Sequence, residues 1–231
     1  MAPRLMVDVY FDLICPWCLI GKRHLDQALA MLLASEPDIV VDVHWHSVQL
    51  LPELPAEGRD FTAFYLQRKG SALAVKQGQE RVQHAALAAG AVVNYARMAR
   101  MPNTLQAHQL LAFARACLTG EQQVQLIERL LAAHFSLGED LSRRSTLLAI
   151  GEQFALPAAQ LNDWLAAGMG KPVPVEVPGV PFFVFNQRFC LSGAQPPEVL
   201  LSSMHQTMHQ AMHQVVLHGA GPLAASRPQA A

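Results

Sequence analysis

Two cysteines, Cys15 and Cys18, stand three positions apart with Pro16 and Trp17 between them, in the run DLICPWCLIGKRHLDQAL. On a helix, residues at this spacing share a face roughly 5–6 Å apart, and a first turn can tighten to the roughly 3.5–4.5 Å between Cβ atoms that a disulfide requires. Reversible closure is therefore open to the pair. Pro16 suits the first helical position, where a missing donor is without consequence, and this leaves Cys15 at the helix start beside unpaired amides. Those amides and the helix dipole favour a thiolate. Because the thiolate is the nucleophile of thiol–disulfide exchange, Cys15 is expected to attack and Cys18, lower on the helix and more covered, to resolve the mixed disulfide. Trp17 either shields the pair and offers a peptide an apolar contact, or covers a neighbouring hydrophobe. Structural zinc would need further thiols or imidazoles at matching spacing, but Cys117 and Cys190 are solitary and His24 lies on the helix that the motif opens. Two inert buried cysteines are the other alternative.

Positioning such a pair takes a strand before it and a helix after it, and both are legible. RLMVDVYFDL alternates, with Val7, Val9 and Phe11 opposite Met6, Asp8 and Tyr10, which predicts a strand over about 4–11. Leu25, Leu29 and Leu32 then recur at helical spacing to about Ser35. IVVDVHWHSV alternates again, and a short crossover between two strands predicts parallel pairing. From Phe61 to about Met169 the composition turns to Ala, Leu, Gln and Arg, which predicts helices near 61–69, 73–89, 103–118, 120–136, 142–154 and 157–167. The proline-rich KPVPVEVPGVP returns the chain to sheet. PFFVFN and RFCLSG flank a hairpin turn at Asn186-Gln187, and a last helix runs from Pro196 or Pro197 to about His218.

With 17 basic against 18 acidic residues, net charge -1 and pI near 6.8, the chain carries no bias toward nucleic acid or anionic membranes. No run is apolar and long enough to span a membrane, and Asp8 and Asp12 interrupt the N-terminal apolar stretch that an export signal would need. A cytoplasmic protein without a disulfide scaffold is expected. In MHQTMHQAMHQ, His205, His209 and His213 recur beside Met204, Met208 and Met212. That helix either packs its methionines on the sheet or a partner subunit, or holds copper. Cys117 and Cys190 read as buried small hydrophobes, and His24 and His134 as exposed or C-terminal helix residues.

On DLICPWCLIGKRHLDQAL, NTLQAHQLL, GVPFFVFNQRF and LSGAQPPEVLL, the sequence resembles the DsbA-like branch of the thioredoxin superfamily over residues 5–203. Within it the likeness is to FrnE-type dithiol–disulfide oxidoreductases, related to glutathione transferase kappa and 2-hydroxychromene-2-carboxylate isomerase. The resemblance implies an α/β, thioredoxin-like fold with a large all-helical insertion. Residues 1–55 and 173–220 would form the thioredoxin-like domain, 56–172 the insertion and 221–231 a flexible tail. It implies Cys15 and Cys18 as catalytic residues, Pro16 and Trp17 as their neighbours, and a cis Val180-Pro181 bond beside a substrate edge. His108, in the family-like segment, is a further substrate-binding candidate or a tuner of Cys15. The activity implied is protein dithiol–disulfide exchange or isomerisation on protein or peptide thiols, with no metal and no cofactor beyond the thiols. Glutathione or a thioredoxin-type reductant would recharge the pair. Glutathione-dependent transferases or small-molecule isomerases are the alternative class, but those relatives carry serine where this chain has Cys15. A metal-binding module is the third reading, and exposed Met and Leu on the last helix are compatible with a homodimer.

Overall fold

The computed structural model describes residues 3–172 and 176–219, with side chains to residue 209 in the last helix. The tail expected at 221–231 and the middle of the proline-rich connector, 173–175, lie outside the described residues. In chain order the first elements are β1 (Arg4–Phe11), α1 (Pro16–Ser35), β2 (Val40–Ser47), β3 (Arg59–Asp60), α2 (Phe61–Lys69), α3 (Ala72–Ala88) and β4 (Arg100–Met101). There follow α4 (Leu105–Ala114), α5 (Gly120–Ala132), α6 (Arg144–Gln153), α7 (Ala158–Ala166), β5 (Phe182–Phe185), β6 (Phe189–Ser192) and α8 (Pro197–Gly219).

The main sheet has four strands in the order β2-β1-β5-β6. β1 pairs parallel with β2, Val7 opposite Val43, and antiparallel with β5, Val7 opposite Phe185. Alternation along β1 turns Leu5, Val7, Val9 and Phe11 inward, each at most 2% exposed. Burying such a side chain stabilises by roughly 1.5–3 kcal/mol. Against this face α1 sets Leu25, Ala28 and Leu32, and α8 sets Leu200, Met204 and Met208, so the described methionines of the MHQ repeat are core residues. His205 lies 3.2 Å from Glu36, while the side chains of Met212 and His213 lie outside the described residues.

The β5–β6 turn places Asn186 and Gln187 at φ 46° and 58°, the left-handed pair that a tight right-twisted hairpin requires. Asn186 is also tied to β1: its N–H donates to the Met6 carbonyl at 2.9 Å and its Oδ1 accepts from the Met6 N–H at 2.8 Å.

Helices α2 to α7 stand between β2 and β5 in the chain, near the predicted positions. Asp60 and Ser71 cap α2 and α3 through their side chains, and Thr119 with Gln122 forms a reciprocal capping box on α5. Two predicted helices differ: α4 stops at Ala114, and α5 passes into a π-helical turn at Ala133–Leu137. β3 and β4, two residues each, are too short for alternation to announce them.

Cys117 and Cys190 correct the expectation of buried thiols, since both are exposed. Cys117 falls in the turn left by the early end of α4. Cys190 lies on β6, opposite Val184 on the sheet face away from α1 and α8.

Candidate active site

β1 delivers the chain from the buried Phe11 to a turn in which the Cys15 N–H donates to the Asp12 carbonyl at 3.3 Å. Cys15 is the N-cap of α1, with extended backbone (φ −89°, ψ 109°), no side-chain capping bond and Pro16 in the first turn. Both thiols are free, Cys15 at 7% and Cys18 at 3% exposure. They belong to the core cluster that joins α1 to Ala107, Leu110 and Leu111 of α4 and to Leu126 and Ile127 of α5. The pair therefore sits at the seam between the sheet and the helical block.

The electrostatics of the two sulfurs differ in sign. A hydrogen bond from the Cys18 thiol holds Cys15 below the usual thiol range; the Cys18 and Trp17 amides add to this, while burial and Asp12 oppose it. Cys18 is pushed well above that range, first by burial and then by its interaction with Cys15. Sequence reasoning credited the helix start with stabilising the thiolate; in the structure the partner cysteine contributes most and the amides second.

As a thiol, Cys15 donates to the Val180 carbonyl at 3.6 Å, and the Val180-Pro181 peptide is cis. The Pro181 carbonyl accepts from the Gly193 N–H at 2.8 Å. What lets this segment approach α1 is Gly21, where an added Cβ would stand 2.8 Å from Pro181 Cγ and 3.3 Å from Phe183. Trp17 is 39% exposed and, with Pro16, walls a cavity of about 290 Å³ that also meets Tyr65 and Tyr95.

His108, the further substrate-binding candidate, is buried. Only 1% exposed, it is turned inward by α4 and places Nε2 3.0 Å from Asp12 Oδ1. Asp12 is fully buried and its Oδ2 accepts the Leu50 N–H at 2.8 Å, so the carboxylate is paired and hydrogen-bonded, as a buried charge must be. The two residues thus form a buried pair just before the cysteine motif. His134 is corrected: it is 2% exposed, and burial pushes its pKa down to about 4 against the pull of Asp12 and Asp140.

Asp12 and Gly21 escaped sequence reasoning. Asp12 had a signal, a charge inside an apolar run just before the cysteines. Gly21 had none beyond being a glycine within a helix. Among the described residues, no cluster of three or more His, Cys, Asp or Glu side chains is arranged to hold a metal ion. No helix among them is long and apolar enough to cross a membrane.

A mixed sheet with a cysteine pair at the start of the first helix and a cis-proline against the first sulfur defines a thioredoxin-like fold. The family model of the DSBA-like thioredoxin domain matches residues 6–205, and the chain belongs to that family. A probable DsbA oxidoreductase from Streptomyces coelicolor superposes with TM-score 0.76 at 22% identity, over 98% of this chain and 95% of that one. A 2-hydroxychromene-2-carboxylate isomerase gives TM-score 0.61 at 14% identity, over 90% and 98%. The cytosolic disulfide reductase DsbM from Pseudomonas aeruginosa, solved with GSH, gives 0.52 at 15%, over 91% and 99%. At these identities the likeness is one of fold. No curated protein matches the chain.

Proposed function

We propose that the protein is a dithiol–disulfide oxidoreductase or isomerase acting on protein or peptide disulfides. The observation that carries this is the opposed pair of sulfurs: a thiolate-prone Cys15 at the helix start and a buried, proton-retaining Cys18 beside it. In the reducing direction the Cys15 thiolate attacks one sulfur of the substrate, a Cys15–substrate bond forms, the substrate disulfide breaks, and the departing thiolate takes a proton from solvent. The Cys15 charge that had added to burial in raising Cys18 is now gone. Cys18 then releases its proton and attacks Cys15 Sγ, which forms the Cys15–Cys18 disulfide and expels the second substrate thiolate. Run backwards, the same steps oxidise a substrate dithiol; stopped at the mixed disulfide, they permit isomerisation. The segment Val180-Pro181, against Cys15, is the edge on which an extended substrate would pair.

Glutathione or a thioredoxin-type dithiol would return the pair to its reduced state, as the fold shared with DsbM suggests. The exposed free thiols of Cys117 and Cys190 suit a reducing compartment such as the cytosol. Cys18→Ser incubated with a peptide disulfide should accumulate a mixed disulfide through Cys15, visible by mass spectrometry. Adducts on Cys117 or Cys190 alone would reject the assignment.

A further inference from the structure

The exchange steps use the cysteines and the Val180-Pro181 edge but leave idle the cavity walled by Pro16 and Trp17. Tyr65 of α2, Val82 of α3 and Tyr95 line it with Pro16 and Trp17, and three cations surround it: Arg68 and Lys69 from the end of α2, and Arg81 from α3. Among the described residues no acidic one lines it. Among the described residues, none of the three cations is held in an ion pair or a side-chain hydrogen bond; Arg68 exerts its field on Tyr65. Arg68 and Lys69 complement the C-terminal dipole of α2, but Arg81 lies inside α3 and has no such reason to face this space. The nearby Glu80 lies 3.8 Å from Lys76 and does not line the cavity.

A second cavity, of about 390 Å³, continues past Thr62 to Met98 and shares Tyr65, Val75, Gln79 and Tyr95 with the first. Two cavities in series suit a chain that presents side chains in turn, whereas a single compact anion would use one. Pro16 and Trp17, the two residues between the cysteines, wall the first cavity, so a ligand here meets the cysteine motif itself.

We propose that this groove selects peptide disulfides whose cystine is flanked by acidic residues, their carboxylates meeting Arg68, Lys69 and Arg81. The proposal rests on the dithiol reading of Cys15 and Cys18. The test compares peptide disulfides flanked by Glu, Gln or Lys at low ionic strength. The Glu peptide should exceed the Gln peptide in kcat/KM by about three- to tenfold, the worth of two or three exposed ion pairs, and the Lys peptide should fall below both. Roughly 0.5 M salt should erase most of the difference. Arg68→Gln/Arg81→Gln should bring the Glu peptide to the level of Gln, while Lys76→Gln, on α3 but outside the cavity, should keep the preference. A Glu peptide without cystine should quench or enhance tryptophan fluorescence, a binding signal independent of redox chemistry, and should lose it in the double variant. Equal rates for the three peptides would overturn the proposal and leave the dithiol mechanism standing. Loss of glutathione disulfide turnover in the double variant, with Glu and Gln peptides indistinguishable, would assign the cations to glutathione and overturn it too. Failure to turn over any disulfide would remove the dithiol reading and this proposal together.

Discussion

Replacing Gly21 with alanine sets two effects of known size against each other. In a helix interior the change should gain about 1 kcal/mol of helix propensity. Against that, the new Cβ would stand 2.8 Å from Pro181 Cγ, about 1 Å inside the roughly 3.5–4.0 Å optimum for two carbons. The proline cannot simply swing aside, since its carbonyl accepts from Gly193 and Phe183 lies 3.3 Å from the same point. Overpacking of this kind costs about 1–3 kcal/mol, so the net expectation is a loss of about 0–2 kcal/mol, measured by urea unfolding. The functional effect should be larger. Pushing the segment off α1 carries the Val180 carbonyl away from its 3.6 Å contact with Cys15, and misplacement near 1 Å can cost up to about 10²-fold in rate. The kcat for a peptide disulfide should fall, while alkylation of Cys15 by iodoacetamide, which needs no substrate edge, should hold. A Gly21→Ala protein about 1 kcal/mol more stable with unchanged turnover would refute the argument that the close approach positions the site.

Three further outcomes follow from the buried groups. Alkylation of Cys15 should rise with pH through a midpoint below the ordinary thiol value of 9.0, with Cys18 protected, and Cys18→Ala should move that midpoint upward by removing the main stabilising donor; a wild-type midpoint at or above 9.0 would contradict this. His108→Leu leaves the Asp12 carboxylate buried without its imidazole and should cost about 3–5 kcal/mol, with part recovered in Asp12→Leu/His108→Leu; a single-variant loss under 1 kcal/mol would show that the pair matters little. His134 is held neutral, with its pKa lowered from 6.5 to about 4, so the unfolded chain binds more protons between those values. Its contribution, about 3 kcal/mol, is present above pH 6.5 and lost as pH falls toward 4. Subtracting the stability-versus-pH curve of His134→Leu should isolate that slope, and parallel curves would rule it out.

Alternation and apolar periodicity were enough to place β1, α1, β2 and the run of helices, and in β1 and α1 the periodic apolar residues are those the core buries, whereas β2 alternates in sequence without burying a face. The cysteine pair, its place at the helix start and the Asn186-Gln187 turn were legible for the same local reason. Contacts between distant segments were not. His108 pointed outward or inward equally well until the packing of α4 against Phe11 was known, and His134 looked terminal because the π-helical turn that buries it leaves no mark in composition. Cys190 was misjudged because an apolar strand of four residues does not say which face is covered. The importance of Gly21 depends on Pro181, which lies 160 residues later in the chain.

If Cys15 and Cys18 are a reversible redox pair, they must open and close together as the thiol–disulfide ratio of the solution changes. An equilibrium titration in glutathione buffers, followed by tryptophan fluorescence and by mass spectrometry of alkylated thiols, tests it most directly. One two-electron transition is expected, lost in both Cys15→Ser and Cys18→Ser, with Cys117 and Cys190 alkylated throughout. A chain whose Cys15 and Cys18 stay reduced at every ratio, or form only separate glutathione adducts, would contradict it.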